Sequence, residues 1–266
     1  MENDFKLIVR NLENDITIYP ISDVHLGSLE HNSKEWKKFV EKITNEPNSY
    51  IILAGDLMNN ATRSSVSNIF EETLRPSEQK KRLIKYLEPI KDKIICAVSG
   101  NHERRSGKDA DNDPMYDIMC KLDLEDLYRE NMAFVKIQLG TPEQMKKRLA
   151  ATYTFAVTHG SGGGIFTGAG VNKNERFGYV VDGLDCLVVG HTHKGAISKP
   201  SKIVIDPRNN TVSMKSFTVV SSQSWMNYGG YAAQKMLLPS SSATSDGAQK
   251  IVLNSNPKKK AINVIW

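Results

Sequence analysis

A layered α/β fold is predicted by two observations on this 266-residue chain. Short runs rich in β-branched, aromatic and aliphatic residues recur along it, and stretches with apolar residues at helical spacing stand between them. With 39% hydrophobic residues the chain can bury a full core, and one large domain over residues 1–266 is expected rather than two. No internal repeat is visible.

Asp15 to Ile21, Tyr50 to Ala54, Ile94 to Val98, Tyr153 to Val157 and Leu184 to Val189 read as buried strands. Asn32 with Glu35 forms a capping box ahead of Trp36, Phe39, Val40 and Ile43, the apolar stripe of a first helix. Ser77 to Leu87 reads as a second helix whose Lys80, Lys81, Arg82 and Lys85 form a solvated face. Asp113 and Pro114 open a third, with Met115, Ile118, Met119 and Leu122 facing the core. Near the end, Thr211 to Val220 and Ala261 to Trp266 read as further strands, and the Ser-rich Pro239 to Gly247 as a mobile loop. The run Gly160 to Gly170 has neither a P-loop nor the G-x-G-x-x-G spacing, so it reads as a flexible loop, either a lid or a plain connection.

Each of the five core strands runs straight into a polar segment: Ser22-Asp23-Val24-His25, Gly55-Asp56, Gly100-Asn101-His102-Glu103, Thr158-His159-Gly160 and Gly190-His191-Thr192-His193. Of the six histidines only His31 lies outside these segments. In layered α/β folds the C-terminal strand ends form the ligand crevice, so five such strands converge on one site. Two aspartates, one asparagine and four histidines are hard and borderline donors that suit Mn, Fe, Zn, Co or Ni rather than Ca or a thiolate centre. Asp56, alone in its segment, is the natural carboxylate bridge between two cations about 3.5 to 4 Å apart. One histidine or one Gly-Asp turn alone would carry little weight; their combination in order reverses that.

A net charge of +5 mildly favours a polyanionic substrate, and Lys258 to Lys260 is too short to add a basic patch. Cys96, Cys120 and Cys186 are isolated and odd in number, and they read as buried thiols rather than disulfides or a zinc knot. The N-terminus lacks the apolar region of a signal peptide and no run approaches a membrane span, so a cytoplasmic, reducing location is expected.

The five segments together resemble the pattern D-x-H, G-D, G-N-H-[DE], H and G-H-x-H of the calcineurin-like metallophosphoesterases, over roughly residues 16 to 193. Asn59-Asn60-Ala61-Thr62-Arg63-Ser64-Ser65 and Ser224-Trp225-Met226-Asn227-Tyr228-Gly229-Gly230-Tyr231 are similar to phage- and prophage-encoded members. The resemblance implies a four-layer αββα sandwich of two mixed sheets flanked by helices. It also implies that Asp23, His25, Asp56 and His193 bind one metal while Asp56, Asn101, His159 and His191 bind the other, with Mn the expected occupant. A hydroxide shared by the metals would be the nucleophile, since metal binding lowers the pKa of water from 15.7 to about 7. His102 would then serve as general acid or electrostatic stabiliser at the leaving oxygen, worth about 10² to 10⁴ in rate.

Arg63, Arg104 and Arg105 are candidate phosphate ligands, with a solvated loop as the competing reading. Asp185 is read as a surface carboxylate in preference to a group orienting a ligand. The fold does not choose the substrate. A phosphodiesterase acting on DNA or nucleotides is the leading reading. The family's protein phosphatases are the runner-up, because Glu103 matches them while Asp56 lacks their following Asp-Arg-Gly. A scaffold without activity is the third reading, disfavoured because every ligand position is filled.

Overall fold

The computed structural model describes residues 5–63, 65, 69–164 and 166–266, with Tyr231 described by its backbone alone. Ser64 and Ile165, which fall within two of the segments singled out above, lie outside the described residues.

The first sheet is built by β2 (Ile16–Ile21), β3 (Ser49–Ala54), β4 (Ile94–Val98), β5 (Tyr128–Arg129), β13 (Lys250–Leu253) and β14 (Ile262–Ile265). Its order is β14-β13-β2-β3-β4-β5; β2 to β5 run parallel, and β13 is antiparallel to both β2 and β14. The second sheet comprises β1 (Ile8–Leu12), β6 (Met132–Leu139), β7 (Ala151–Thr158), β8 (Cys186–Val189), β9 (Ala196–Ser198) and β12 (Thr218–Ser221), in the order β1-β6-β7-β8-β12-β9. It is also mixed, with β7, β8 and β12 parallel and β6 and β9 antiparallel to their neighbours β7 and β12. A separate antiparallel ribbon joins β10 (Ser201–Asp206) to β11 (Thr211–Ser216).

Successive strand residues point to opposite faces, and here both faces are buried, which is why these strands read as continuous apolar runs. Ile16, Ile18, Ile52, Ala54 and Val98 of the first sheet meet Tyr153, Phe155, Val157, Cys186 and Val188 of the second in one core between the sheets. The alternate residues Tyr19, Ile21, Ile51 and Leu53 face outward and pack under α1 (Ser33–Asn45), α2 (Pro76–Leu87) and α4 (Pro114–Lys121), through Trp36, Phe39, Leu83 and Met115. On the far side Leu187, Val189, Phe217 and Val219 pack with Phe177 of α6 (Thr167–Val180). The result is the expected αββα layering. Three short helices, α3 (Arg104–Ala110), α5 (Pro142–Lys146) and α7 (Gly230–Gln234), sit in connections.

Asp113 caps its helix as expected, accepting from Met115 N and Tyr116 N at 3.0 Å, whereas only half of the Asn32 box forms: Asn32 accepts from Glu35 N at 3.4 Å, but Asn32 N donates to Trp225 O and the Glu35 carboxylate turns to Lys38 and Ser245 N. Three further expectations are corrected. Thr211 to Val220 is two strands, because the chain leaves the exposed ribbon at Phe217, whose buried ring anchors β12 in the second sheet. The glycine-rich loop ends at Phe166, and Thr167 to Gly170 is the first turn of α6. The segment Pro239 to Gly247 is tied down rather than loose: Ser240 Oγ donates to His193 O at 3.3 Å, Ser245 N to Glu35 Oε2 at 2.8 Å, and Ala243 is buried. Among the described residues no helix is long and apolar enough to cross a membrane.

Candidate metal centre

The five loops after β2, β3, β4, β7 and β8 meet at the edge of the sandwich. Their approach demands glycine at two points. A Cβ on Gly55, at φ +84°, would lie 2.5 Å from Gly100 N, and one on Gly100 would lie 2.0 Å from Asp56 Oδ1. Asp23, His25, Asp56, His191 and His193 all have positive φ, between 47° and 70°. Non-glycine residues rarely adopt this conformation, and its clustering here marks strain that the surrounding structure holds in place.

Donor atoms converge in three groups: Asp23 with His25 and His193, His25 with Asp56 and His102, and Asp56 with His159 and His191. Asp56 Oδ2 is central, 3.2 Å from His159 Nε2, 3.7 Å from His102 Nε2 and 3.9 Å from His25 Nε2. Asn101 Oδ1 lies 3.1 Å from His159 Nε2 and 2.8 Å from His191 Nδ1. His193 Nε2 lies 3.3 Å from both Asp23 Oδ1 and His25 Nε2.

These atoms fit a cation. Asp23 Oδ1 is buried without a hydrogen-bond partner, a costly arrangement for a carboxylate unless a positive charge meets it. The imidazole pairs His25–His193 and His159–His191 stand 3.3 and 3.2 Å apart, nitrogen to nitrogen. Two ligands at 2.0–2.1 Å from one tetrahedral ion are about 3.3 Å apart. The electrostatics agree. Burial disfavours charge on His159, yet Asp56 beside it raises its pKa to about 9, and Asp23 and Asp56 likewise raise His25 against its burial. The same histidines hold Asp56 well below the usual carboxylate range despite burial. His191 and His193 are shifted down, chiefly by burial, and so offer neutral rings.

Second partners fix three of the rings. His159 Nδ1 donates to Ala54 O at 2.8 Å, His25 Nδ1 to Asn59 Oδ1 at 3.3 Å and His102 Nδ1 to Asn59 O at 2.7 Å, leaving these three Nε2 atoms turned inward, whereas His191 turns Nδ1 toward the donors. Asp23 Oδ2 accepts from His191 N at 2.9 Å, and Asp56 Oδ1 from His102 N at 2.8 Å.

Several supporting residues escaped the sequence reading. Glu103 is fully buried, and its carboxylate accepts from Asp56 N, Gly100 N and Met58 N, each at 2.9 Å. Its place after His102 was the available signal. Asn60 Nδ2 donates to His102 O at 2.7 Å and Ser106 Oγ at 2.9 Å, while Gln79 Oε1 accepts from Asn60 N at 2.8 Å. Nothing in the basic stretch around Gln79 marks it.

The three arginines separate. Arg105 reaches the centre, with Nη2 donating to His102 Nε2 at 3.0 Å and Nη1 to Asn59 O at 3.3 Å. Arg104 donates instead to Asn131 Oδ1 at 3.2 Å. Arg63 is exposed and lines a cleft with Glu72 and Arg75, outside the donor groups. Asp185 accepts from Thr154 N at 2.9 Å and pairs with Lys260 at 2.8 Å, away from the ligands.

A family model described as calcineurin-like phosphoesterase matches residues 16–195, more than half of the chain. No curated protein sequence matches it. Among solved structures it is similar to a conserved uncharacterized protein, described as a predicted phosphoesterase, from Streptococcus pneumoniae TIGR4. That similarity is 12% identity over 94% of this chain and 98% of the other, with a TM-score of 0.34. The ordered motifs, the layering they sit in and the family match lead to one conclusion: this chain belongs to the calcineurin-like phosphoesterases, metal-dependent hydrolases of ester bonds.

Proposed function

We propose that the chain is a phosphodiesterase acting on DNA or nucleotides with two divalent transition-metal ions, Mn foremost. Asp23, His25, Asp56 and His193 would hold one ion, and Asp56, Asn101, His159 and His191 the other. The observation that carries this reading is that Asp56 belongs to two donor groups, with His25 and His102 in one and His159 and His191 in the other. When bound, the ions supply Lewis-acid activation of water and neutralise charge on the phosphate.

The chain's own residues do the rest. His102, held through Nδ1 by Asn59 O, presents Nε2 beside the centre, with Arg105 Nη2 at 3.0 Å. Burial pushes the His102 pKa down to about 3 even though Asp56 opposes this. The His102–Arg105 pair therefore carries its positive charge on the guanidinium and places it where a leaving oxygen gathers negative charge. A diester fits this inventory better than a monoester. A monoester dianion calls for several cationic groups, and of the three candidate arginines only Arg105 contacts the donor groups. The net charge of +5 and the phage-like segments around Asn59 and Trp225 favour a nucleic acid or nucleotide. Residues 1–266 would act as one catalytic domain.

The test compares Mn-dependent hydrolysis of bis(p-nitrophenyl) phosphate with that of p-nitrophenyl phosphate. Diester preference, with about two ions per chain by metal analysis, supports the reading. Monoester preference replaces it with the phosphatase, and two bound ions with neither activity points to a scaffold or a narrow natural substrate.

A further inference from the structure

A cleft of about 280 Å³ opens beside the centre, lined among others by Phe166, Lys194, Gly195, Leu238, Ser240 and Trp266. Its size falls near the lower end of small-molecule sites, about 300 to 1,000 Å³. The cleft and the metal ligands share one backbone: Lys194 and Gly195 directly follow His193, and Ser240 Oγ donates to His193 O at 3.3 Å.

Two aromatic rings line it while remaining open to solvent, Phe166 at 71% and Trp266 at 65% exposure. Trp266 is nonetheless seated, since a Cβ on Gly195 would lie 2.6 Å from its Cη2. Only glycine at that position lets the indole lie against the chain that carries His193. Leu238 adds apolar surface. Lys194 adds a cation, and the adjoining start of α6 has no side-chain cap on its first amides, so this end of the cleft is electropositive. Flat apolar faces, positive charge and a backbone continuous with the donor His193 are what a base joined to a phosphate requires.

We propose that this cleft takes a nucleobase of the substrate, stacked on Phe166 and Trp266, and so delivers the adjoining phosphate to the metal centre. The proposal rests on the phosphodiesterase reading above and narrows it to esters that bear a base. Stacking is tolerant of sequence, so the site would favour single-stranded or mononucleotide esters over paired duplex, whose bases are already stacked.

The chain's other tryptophans, Trp36 and Trp225, are fully buried, so Trp266 is the one whose emission a ligand in the cleft can reach. Thymidine carries no phosphate ester, and the metal-loaded protein can be titrated with it. The expected result is saturable quenching that disappears in Trp266→Leu and weakens about 5- to 150-fold in Phe166→Ala, the range that one stacking contact gives. In kinetics, the preference for thymidine 5′-(p-nitrophenyl phosphate) over methyl p-nitrophenyl phosphate, as a ratio of kcat/KM, should shrink in both variants. Both side chains are largely exposed, so the variants fold. Diester hydrolysis without quenching, and with the ratio unchanged by either substitution, overturns the cleft and leaves the phosphodiesterase standing. Trp266-dependent quenching in a protein that cleaves only monoesters supports the base site and sinks the diester reading.

Discussion

The two walls of the candidate metal centre are held in different ways. The wall from the first sheet carries Asp23, His25, Asp56 and His102, and its loops are stitched together from behind by Glu103, Asn59, Asn60 and Gln79. The wall from the second sheet carries His159, His191 and His193. Of these only His159 has its outward nitrogen fixed by a backbone carbonyl, while the His193 side chain is 38% exposed. One wall is braced for position and the other is open for access. The aromatic cleft adjoins the open wall, where a substrate can enter without disturbing the brace.

The largest expected effect tests the point where the walls meet. Asp56→Ala should lower diester hydrolysis by about 10⁴-fold and reduce bound metal below two ions per chain; a variant that keeps both ions and a tenth of the activity would remove Asp56 from the centre. His102→Ala should cost about 10³-fold in kcat with metal content intact, measured by steady-state kinetics beside metal analysis. An equal loss of metal would recast His102 as a ligand.

Glu103→Gln sharpens the contrast, because it touches neither substrate nor ion. One acceptor oxygen is replaced by a donor, leaving a buried N–H unpaired at about 1–3 kcal/mol. Metal affinity should weaken about 10- to 100-fold, and thermal unfolding should fall by a few degrees. An unchanged metal titration would show that the brace serves stability alone.

His31 gives a smaller, pH-dependent effect. Its Nδ1 donates to Val24 O at 2.8 Å, and burial pushes its pKa down to about 4. The unfolded chain takes a proton near pH 6.5 that the folded chain declines. The His31 contribution to stability is therefore complete above pH 6.5 and is lost as pH falls toward 4. Denaturant unfolding of His31→Asn should show a shallower fall in stability across that window than the parent protein. Identical slopes would mean that His31 is solvated. The smallest effect belongs to the β10–β11 ribbon, where Ile203 and Met214 are paired across the strands and are 73% and 80% exposed. Ile203→Ser and Met214→Ser should each change stability by less than about 0.5 kcal/mol.

Parts of this structure are legible in the sequence for a definite reason. Strands buried on both faces are continuous apolar runs, so Tyr50 to Ala54 and Ile94 to Val98 stand out, and the loops after them hold glycines and donors in a fixed order. The edge strand β1 and the ribbon strand β10 are less apolar and escaped, while β11 was legible only as part of the longer run Thr211 to Val220. The donors themselves were readable because the chemistry demands those residue types. Gln79, Asn59 and Asn60 were not, since an amide that braces a loop looks like any surface amide until the partner loop arrives. The arginines could not be ranked for a related reason: neighbouring Arg104 and Arg105 leave the same turn in different directions, and only the three-dimensional path decides which one reaches His102.

The distance in sequence between the donors has a consequence for biogenesis. His25 and His193 face each other across 168 positions, and each proposed ion draws ligands from both sheets. A nascent chain that has made β2, β3 and β4 holds Asp23, His25, Asp56 and Asn101 but lacks His159, His191 and His193, which follow β7 and β8, and the first sheet itself closes only when β13 and β14 arrive. Tight uptake of either proposed ion therefore waits for the loops after β7 and β8, late in synthesis.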